Sequence, residues 1–333
     1  MTTIPFSSED ASRPAPVAPK GRIGAFVHRL QTGDQIAHLI TLAFAAGVFL
    51  ITVLLFYQLW RNSALPRHTF GWHFLVSQSW DPVFEKFGAL PFVFGTLVTS
   101  GISLLLAVPL GVGAAIFLAE LAPPRISGAL TFVIELLAAV PSVILGLLGI
   151  FILVPLLRNY GEPFLKSTLG FLPIFQGQVY GVGMLAASLI LTIMIIPFII
   201  TISREVLLAV PVEQREAALA LGATRWEATW RAVVPFAKTG IYGSIFLGLA
   251  RALGETMAVT MVIGNDPKIN TSLFAPGYSI AAVIANEFTE ATGNLYLQSL
   301  IELGLVLFVV TIIINALARL LILVTTRQGT VHP

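Results

Sequence analysis

Six stretches of this sequence are so long and so apolar that they constrain the fold before any motif is considered. They cover residues 36–60, 90–118, 128–157, 180–203, 239–263 and 299–324. About 20 apolar residues in a helix cross the hydrocarbon core of a bilayer. Inside lipid, backbone groups must be satisfied within the segment or within a closed barrel. The runs are continuous rather than alternating, so they are read as helices and the chain as an all-α, polytopic membrane protein with six transmembrane helices. Composition supports this: 56% of the 333 residues are hydrophobic, 11% are charged, and the mean hydropathy is +0.88. A soluble domain could not cover that much apolar surface. Two further apolar pieces, 169–175 and 279–288, are too short to span and are expected to be interfacial or re-entrant.

The ends are different. Residues 1–34 are polar and carry Pro5, Pro14, Pro16 and Pro19, too little apolar surface to fold alone, and are expected to be a disordered cytosolic tail. Ala43-Phe44-Ala45 mimics a cleavage site, but the apolar run starts too far in, and continues too long, for a secretory signal. The membrane domain is placed at 35–325, with a short cytosolic tail at 326–333. With the N-terminus inside, the inner segments hold 12 lysines and arginines and the outer ones six, leaving Arg251 within the membrane. By the positive-inside rule both termini are cytosolic. A net charge of +2 gives no nucleic-acid signal. The absence of cysteine excludes disulfides and thiolate chemistry, and five scattered histidines give no metal-ligand spacing.

Between the fourth and fifth runs lies a charged island, 211–235, facing the cytosol in this topology. Pro211 suits a first helical turn, with Glu213 and Glu216 where the positive end of the helix dipole favours acids. Gly222 suits the left-handed residue that ends a helix, and Thr224 with Glu227 makes a capping box for a second one. Ala217, Ala218 and Leu221 are expected to share one face, and Trp226 and Trp230 another. The reading is a helix-turn-helix outside the bilayer. The segment Glu216-Ala217-Ala218, followed after three residues by Gly222 and later by Pro235, resembles the EAA loop of ABC importer permeases. That resemblance implies that the loop docks a separate ATPase subunit. Where that family's final element tends to read I-x-L-P, this chain has Ala232-Val233-Val234-Pro235.

Arg251 is the most informative single residue. It lies about 18 Å along the fifth run from Thr239, near the bilayer midplane, where an arginine costs at least about 2.5–3.5 kcal/mol. Glu255, four residues on, is expected on the same face. Two readings stand: a self-contained Arg251–Glu255 ion pair, or a site at which the guanidinium offers its donors to a small oxyanion. Glu135 in the third run is expected to have a structural or gating role.

The segment Arg251-Ala252-Leu253-Gly254-Glu255-Thr256, its continuation Met257-Ala258-Val259-Thr260, and Glu135-Leu136-Leu137-Ala138-Ala139-Val140-Pro141-Ser142 resemble segments of the permease subunits of Pst-type phosphate importers, the C-type subunit in particular. With the loop, the resemblance covers about 36–324. It implies a phosphate path along Arg251, Glu255, Thr256 and Glu135, a second (A-type) permease, two ATPase subunits and an external phosphate-binding protein, in a bacterial inner membrane. A carboxylate near the anion is chemically apt, because phosphate near neutral pH still has a proton to donate and sulfate does not. The chain is not its own motor: Lys166-Ser167 and Lys238-Thr239 lack the preceding glycine of a P-loop, so ATP and Mg would be bound by the partner and the chain itself carries no cofactor. The alternatives are an importer of another oxyanion, or an ATP-independent transporter with Glu135, Arg251 and Glu255 as a proton relay.

Overall fold

The computed structural model describes residues 34–327; the tail expectations for residues 1–33 and 328–333 lie outside them. The chain divides into two units, 1–58 and 59–333. In the first, the described residues belong to the helix Asp34–Asn62, whose apolar side chains, Phe44 and Phe49 among them, are exposed. The second is a helical bundle. Among the described residues pairing of the β type is limited to two isolated bridges, Asp81 with Lys86 and Gly264 with Gly277.

Among the described residues six helices are long and apolar enough to cross a membrane: Ala37–Asn62, Leu90–Leu121, Ser142–Leu169, Met184–Leu208, Arg225–Gly254 and Asn294–Leu320. Number and order agree with the sequence reading; the bounds of the third and fifth spans do not. The third run was expected to cross at 128–157 with Glu135 and Pro141 inside it. Instead the helix Pro124–Ala138 stops, and Pro141, at φ −58° and ψ 139°, opens a new helix that reaches Leu169. Proline has no N–H to continue the ladder and drives the residue before it out of the helical region. Glu135 therefore sits at the end of a separate elbow helix and not in a span. Ser127 fastens the start of that elbow by donating to the Leu118 carbonyl at 2.8 Å. The corrections to the fifth span belong to the site.

The fourth span is the centre of the second unit: 67% of its apolar window is buried, against 33% or less for the others. Small residues bring its neighbours close. A Cβ on Gly111 of the second span would lie 2.9 Å from Ile199 Cγ2, and one on Gly240 of the fifth 2.3 Å from Val206 Cγ1. Close approach through small residues is the usual way to pack helices in lipid, where burial of apolar surface gives no drive of its own. Ser203 and Ser244, both buried, join the fourth and fifth spans by a 2.7 Å hydrogen bond. The short apolar piece before the sixth span is the helix Ile280–Glu287, started by Ser279, whose hydroxyl accepts from Ala282 N at 3.2 Å.

Candidate functional site

The loop after the fourth span folds from local signals. Pro211 (φ −54°, ψ 140°) stands just before the helix Val212–Ala220, one residue earlier than a first-turn position, and Glu213 occupies the first turn. At the other end Gly222 has φ +86°. Its N–H donates to Leu219 O at 2.9 Å and the next, Ala223 N–H, to Ala218 O at 3.2 Å. This pair of bonds is the Schellman closure, which satisfies carbonyls that a helix end otherwise leaves open. Thr224 then starts the second helix: its hydroxyl accepts from Glu227 N at 3.3 Å and its N–H donates to Glu227 Oε2 at 2.9 Å. Trp226 and Trp230 meet edge-to-face with centroids 5.6 Å apart.

One expectation about this loop is corrected. The second helix does not stop before the membrane. It runs on through a π turn, Thr229–Val233, directly into the fifth span, so Pro235 lies inside a continuous helical run, Arg225–Gly254. The widened turn falls just where the proline withholds a backbone donor.

The first loop helix buries none of its own residues. Glu216 and Ala217 are exposed, Ala218 is half-buried, and Leu221 is 89% exposed at the tip. What fixes the helix is Arg215. Its Nε lies 3.2 and 3.1 Å from the two oxygens of Glu120, and its Nη2 donates to Glu120 Oε1 at 2.7 Å. Nη2 also donates to Leu207 O at 2.8 Å, and Nη1 to Val210 O at 2.6 Å. Glu120 is in the last turn of the second span, and Leu207 and Val210 are at the end of the fourth. Sequence reasoning counted Arg215 only as an inner charge and passed over Glu120. A carboxylate closing an apolar run and an arginine next to the EAA segment were the available signals, but 95 residues separate them.

The second element is a break in the fifth run. The helix ends at Gly254, Glu255 is extended at φ −71° and ψ 129°, and a short helix resumes at Met257–Val262. The expectation of a single helix through residue 263 is therefore wrong: Glu255 is the residue at which the helix ends, directly after the turn that carries Arg251. Arg251 is exposed, in the last turn before the break, where the negative end of the helix dipole favours a cation. Its guanidinium carbon lies 6.0 Å from the centroid of the Phe198 ring. Among the described residues the ion pairs are Arg67–Glu302, Arg215–Glu120 and Lys268–Asp266, so Arg251 and Glu255 are not paired. Glu255 Oε1 instead accepts from Ala258 N at 3.5 Å, at the start of the resumed helix. Thr256 donates to Gly254 O at 3.4 Å across the break, and its carbonyl accepts from Thr260 Oγ1 at 2.7 Å. Glu135 is exposed on the elbow helix and joins neither residue in an ion pair. No cluster of three or more histidine or acidic side chains able to hold a metal occurs among the described residues.

Six apolar helices of spanning length among the described residues, a capped and almost unburied loop helix, and a span that ends beside an arginine without an ion pair define a polytopic membrane permease. Residues 107–323 match the family described as binding-protein-dependent transport system inner membrane component. The chain is 47% identical over 310 residues to the phosphate transport system permease protein PstC of Mesorhizobium japonicum, covering 92% of this chain and 95% of that one. It is 47% identical over 291 residues to the PstC of Pasteurella multocida, covering 86% and 91%. The chain belongs to the family of PstC permease proteins. In fold it also resembles a chain of a bacterial ABC transporter involved in alginate import, with a TM-score of 0.56 over 87% of this chain and 98% of that one at 16% identity.

Proposed function

We propose that this chain is the transmembrane permease subunit of an ATP-driven phosphate importer. Two partner ATPase subunits would bind ATP and Mg, a second, A-type permease would complete the path, and an external phosphate-binding protein would deliver the anion. The observation that carries the reading is the loop helix: a membrane protein presents an almost unburied helix, rigidly capped at its tip, with Leu221 89% exposed. Such a surface is spent on a partner, and small Ala217 and Ala218 permit its close approach. Glu216, Ala217, Ala218 and Gly222 form the docking segment, and Pro235 marks where it passes into the fifth span.

The helix break supplies the substrate path. Arg251 presents its guanidinium without a carboxylate partner among the described residues, and a planar fork of donors suits a tetrahedral oxyanion. Discontinuous helices are the usual way for a transporter to expose backbone and side chains to a polar ligand at membrane depth. Glu255 and Thr256 line the gap in the chain, and Glu255 favours an anion that still has a proton to give. Affinity must stay weak enough for release. Glu135, on the elbow helix, belongs to gating and not to ligand contact. The protein would sit in the bacterial cytoplasmic membrane with both termini in the cytosol.

The test is phosphate uptake into vesicles containing this chain and the candidate partner subunits, with and without ATP and with sulfate as competitor. ATP-dependent uptake that sulfate does not compete is expected. Uptake that proceeds at the same rate without any ATPase subunit would sink the proposal and favour a proton-coupled carrier.

A further inference from the structure

We infer that Arg215 is the positioning residue that makes the loop helix move as one body with the second and fourth spans. The inference rests on the coupling role proposed above and names the residue through which that role reaches the membrane. The loop helix buries none of its residues, so packing against the bundle is a poor carrier of any force applied to it. Arg215, by contrast, has its side chain 21% exposed and Glu120 its side chain 9% exposed. One guanidinium holds three separate points: the Glu120 carboxylate, the Leu207 carbonyl and the Val210 carbonyl, at 2.6 to 3.2 Å.

Those points belong to two spans. Glu120 is in the last turn of the second, Leu207 is in the last turn of the fourth, and Val210 follows that helix by two residues. Beneath the fork lies an apolar cluster that already joins the inner ends of these helices to the fifth, with Ile116, Leu207, Val233 and Ile241 in it. The bundle end is thus a packed block, and Arg215 is the polar fork that fastens the exposed docking helix to it. A charge-assisted, two-pronged contact is stiff in both distance and angle, unlike a single contact to a lysine. When the docking helix is displaced, the ends of the second and fourth spans follow. Without the fork, a helix that buries none of its own residues would pass little of its displacement to those ends, and the spans would stay.

The experiment uses the full complex in proteoliposomes and reads three quantities: recovery of the ATPase with the permease, ATP hydrolysed, and phosphate moved per ATP. Arg215→Lys keeps the charge but cannot reach all three partners, and Glu120→Gln keeps the shape of its partner without the charge. With the complex recovered and ATP still hydrolysed, phosphate moved per ATP is expected to fall about tenfold or more in Arg215→Lys, the scale of one lost charged hydrogen bond. A smaller fall is expected in Glu120→Gln. An unchanged ratio in both variants would overturn the inference, and so would loss of assembly in both, which would make the fork a folding contact only. If one variant fails to assemble, the ratio in the other decides. If the unmodified complex moves no phosphate with ATP, the coupling role itself is wrong and this inference falls with it.

Discussion

Gly222 offers the sharpest test of the loop, because its space and its backbone separate cleanly. A Cβ built there meets no atom within 4 Å, so a Cβ itself clashes with nothing. The constraint is φ +86° alone. An L-residue with a Cβ pays about 1–2 kcal/mol in the left-handed region, more if it is β-branched, whereas asparagine tolerates it. A change of that size shifts the population of the closed loop by about 5–30-fold. The order expected is Gly222 and Gly222→Asn near full activity, Gly222→Ala reduced, and Gly222→Val lowest. Insertion of all four should be equal, because no span is touched. The assay is recovery of the ATPase with the tagged permease, alongside ATP-driven phosphate uptake at matched membrane levels. If Gly222→Val transports as well as Gly222→Asn, the left-handed closure does not support docking, and the reasoning fails.

Three further outcomes follow from other parts of the molecule. At the helix break, Arg251→Lys should insert and assemble normally yet transport phosphate poorly, and Glu255→Gln should let sulfate compete; a silent Arg251→Lys, measured in the same vesicles, would remove the anion site. In this cysteine-free chain, Val83→Cys, at an 85% exposed position between the first two spans, and Arg225→Cys in the loop should react with an impermeant thiol reagent from opposite sides; labelling from one side would refute the topology. Gly240→Ala places a Cβ 2.3 Å from Val206 Cγ1, and overpacking of this kind costs about 1–3 kcal/mol. It should lower the thermal stability of the purified protein, whereas Gly243→Ala, with open space around its Cβ, should not.

Much of this protein was legible in the residues because the physics concerned is local. Six apolar runs of sufficient length specify six crossing helices whatever surrounds them. Gly222 and the Thr224–Glu227 box set their own turn and cap from neighbours within a few positions, and both are found as read. The break at Pro141 was not legible. Pro109 and Pro197 stay inside helices, while Pro141 begins a new one. Pro197 is flanked by buried Ile195, Ile199 and Ile200, which hold its helix in line, whereas Val143 and Ile144 beyond Pro141 are exposed. The same residue type thus continues a helix at Pro109 and Pro197 and breaks one at Pro141.

The site divides in the same way. Sequence alone singled out Arg251 and Glu255, because a charge in an apolar run is costly wherever the helix ends. A spacing of four named a possible ion pair, but the backbone leaves the helix at Glu255, and among the described residues the two charges form none. Glu120 and Arg215 meet across 95 residues through the packing of the second span on the fourth. Local propensity therefore determined which segments cross the membrane and how the loop turns. Only the tertiary structure decided where a span breaks and which distant charges share a partner, because those depend on how close one helix is brought to another.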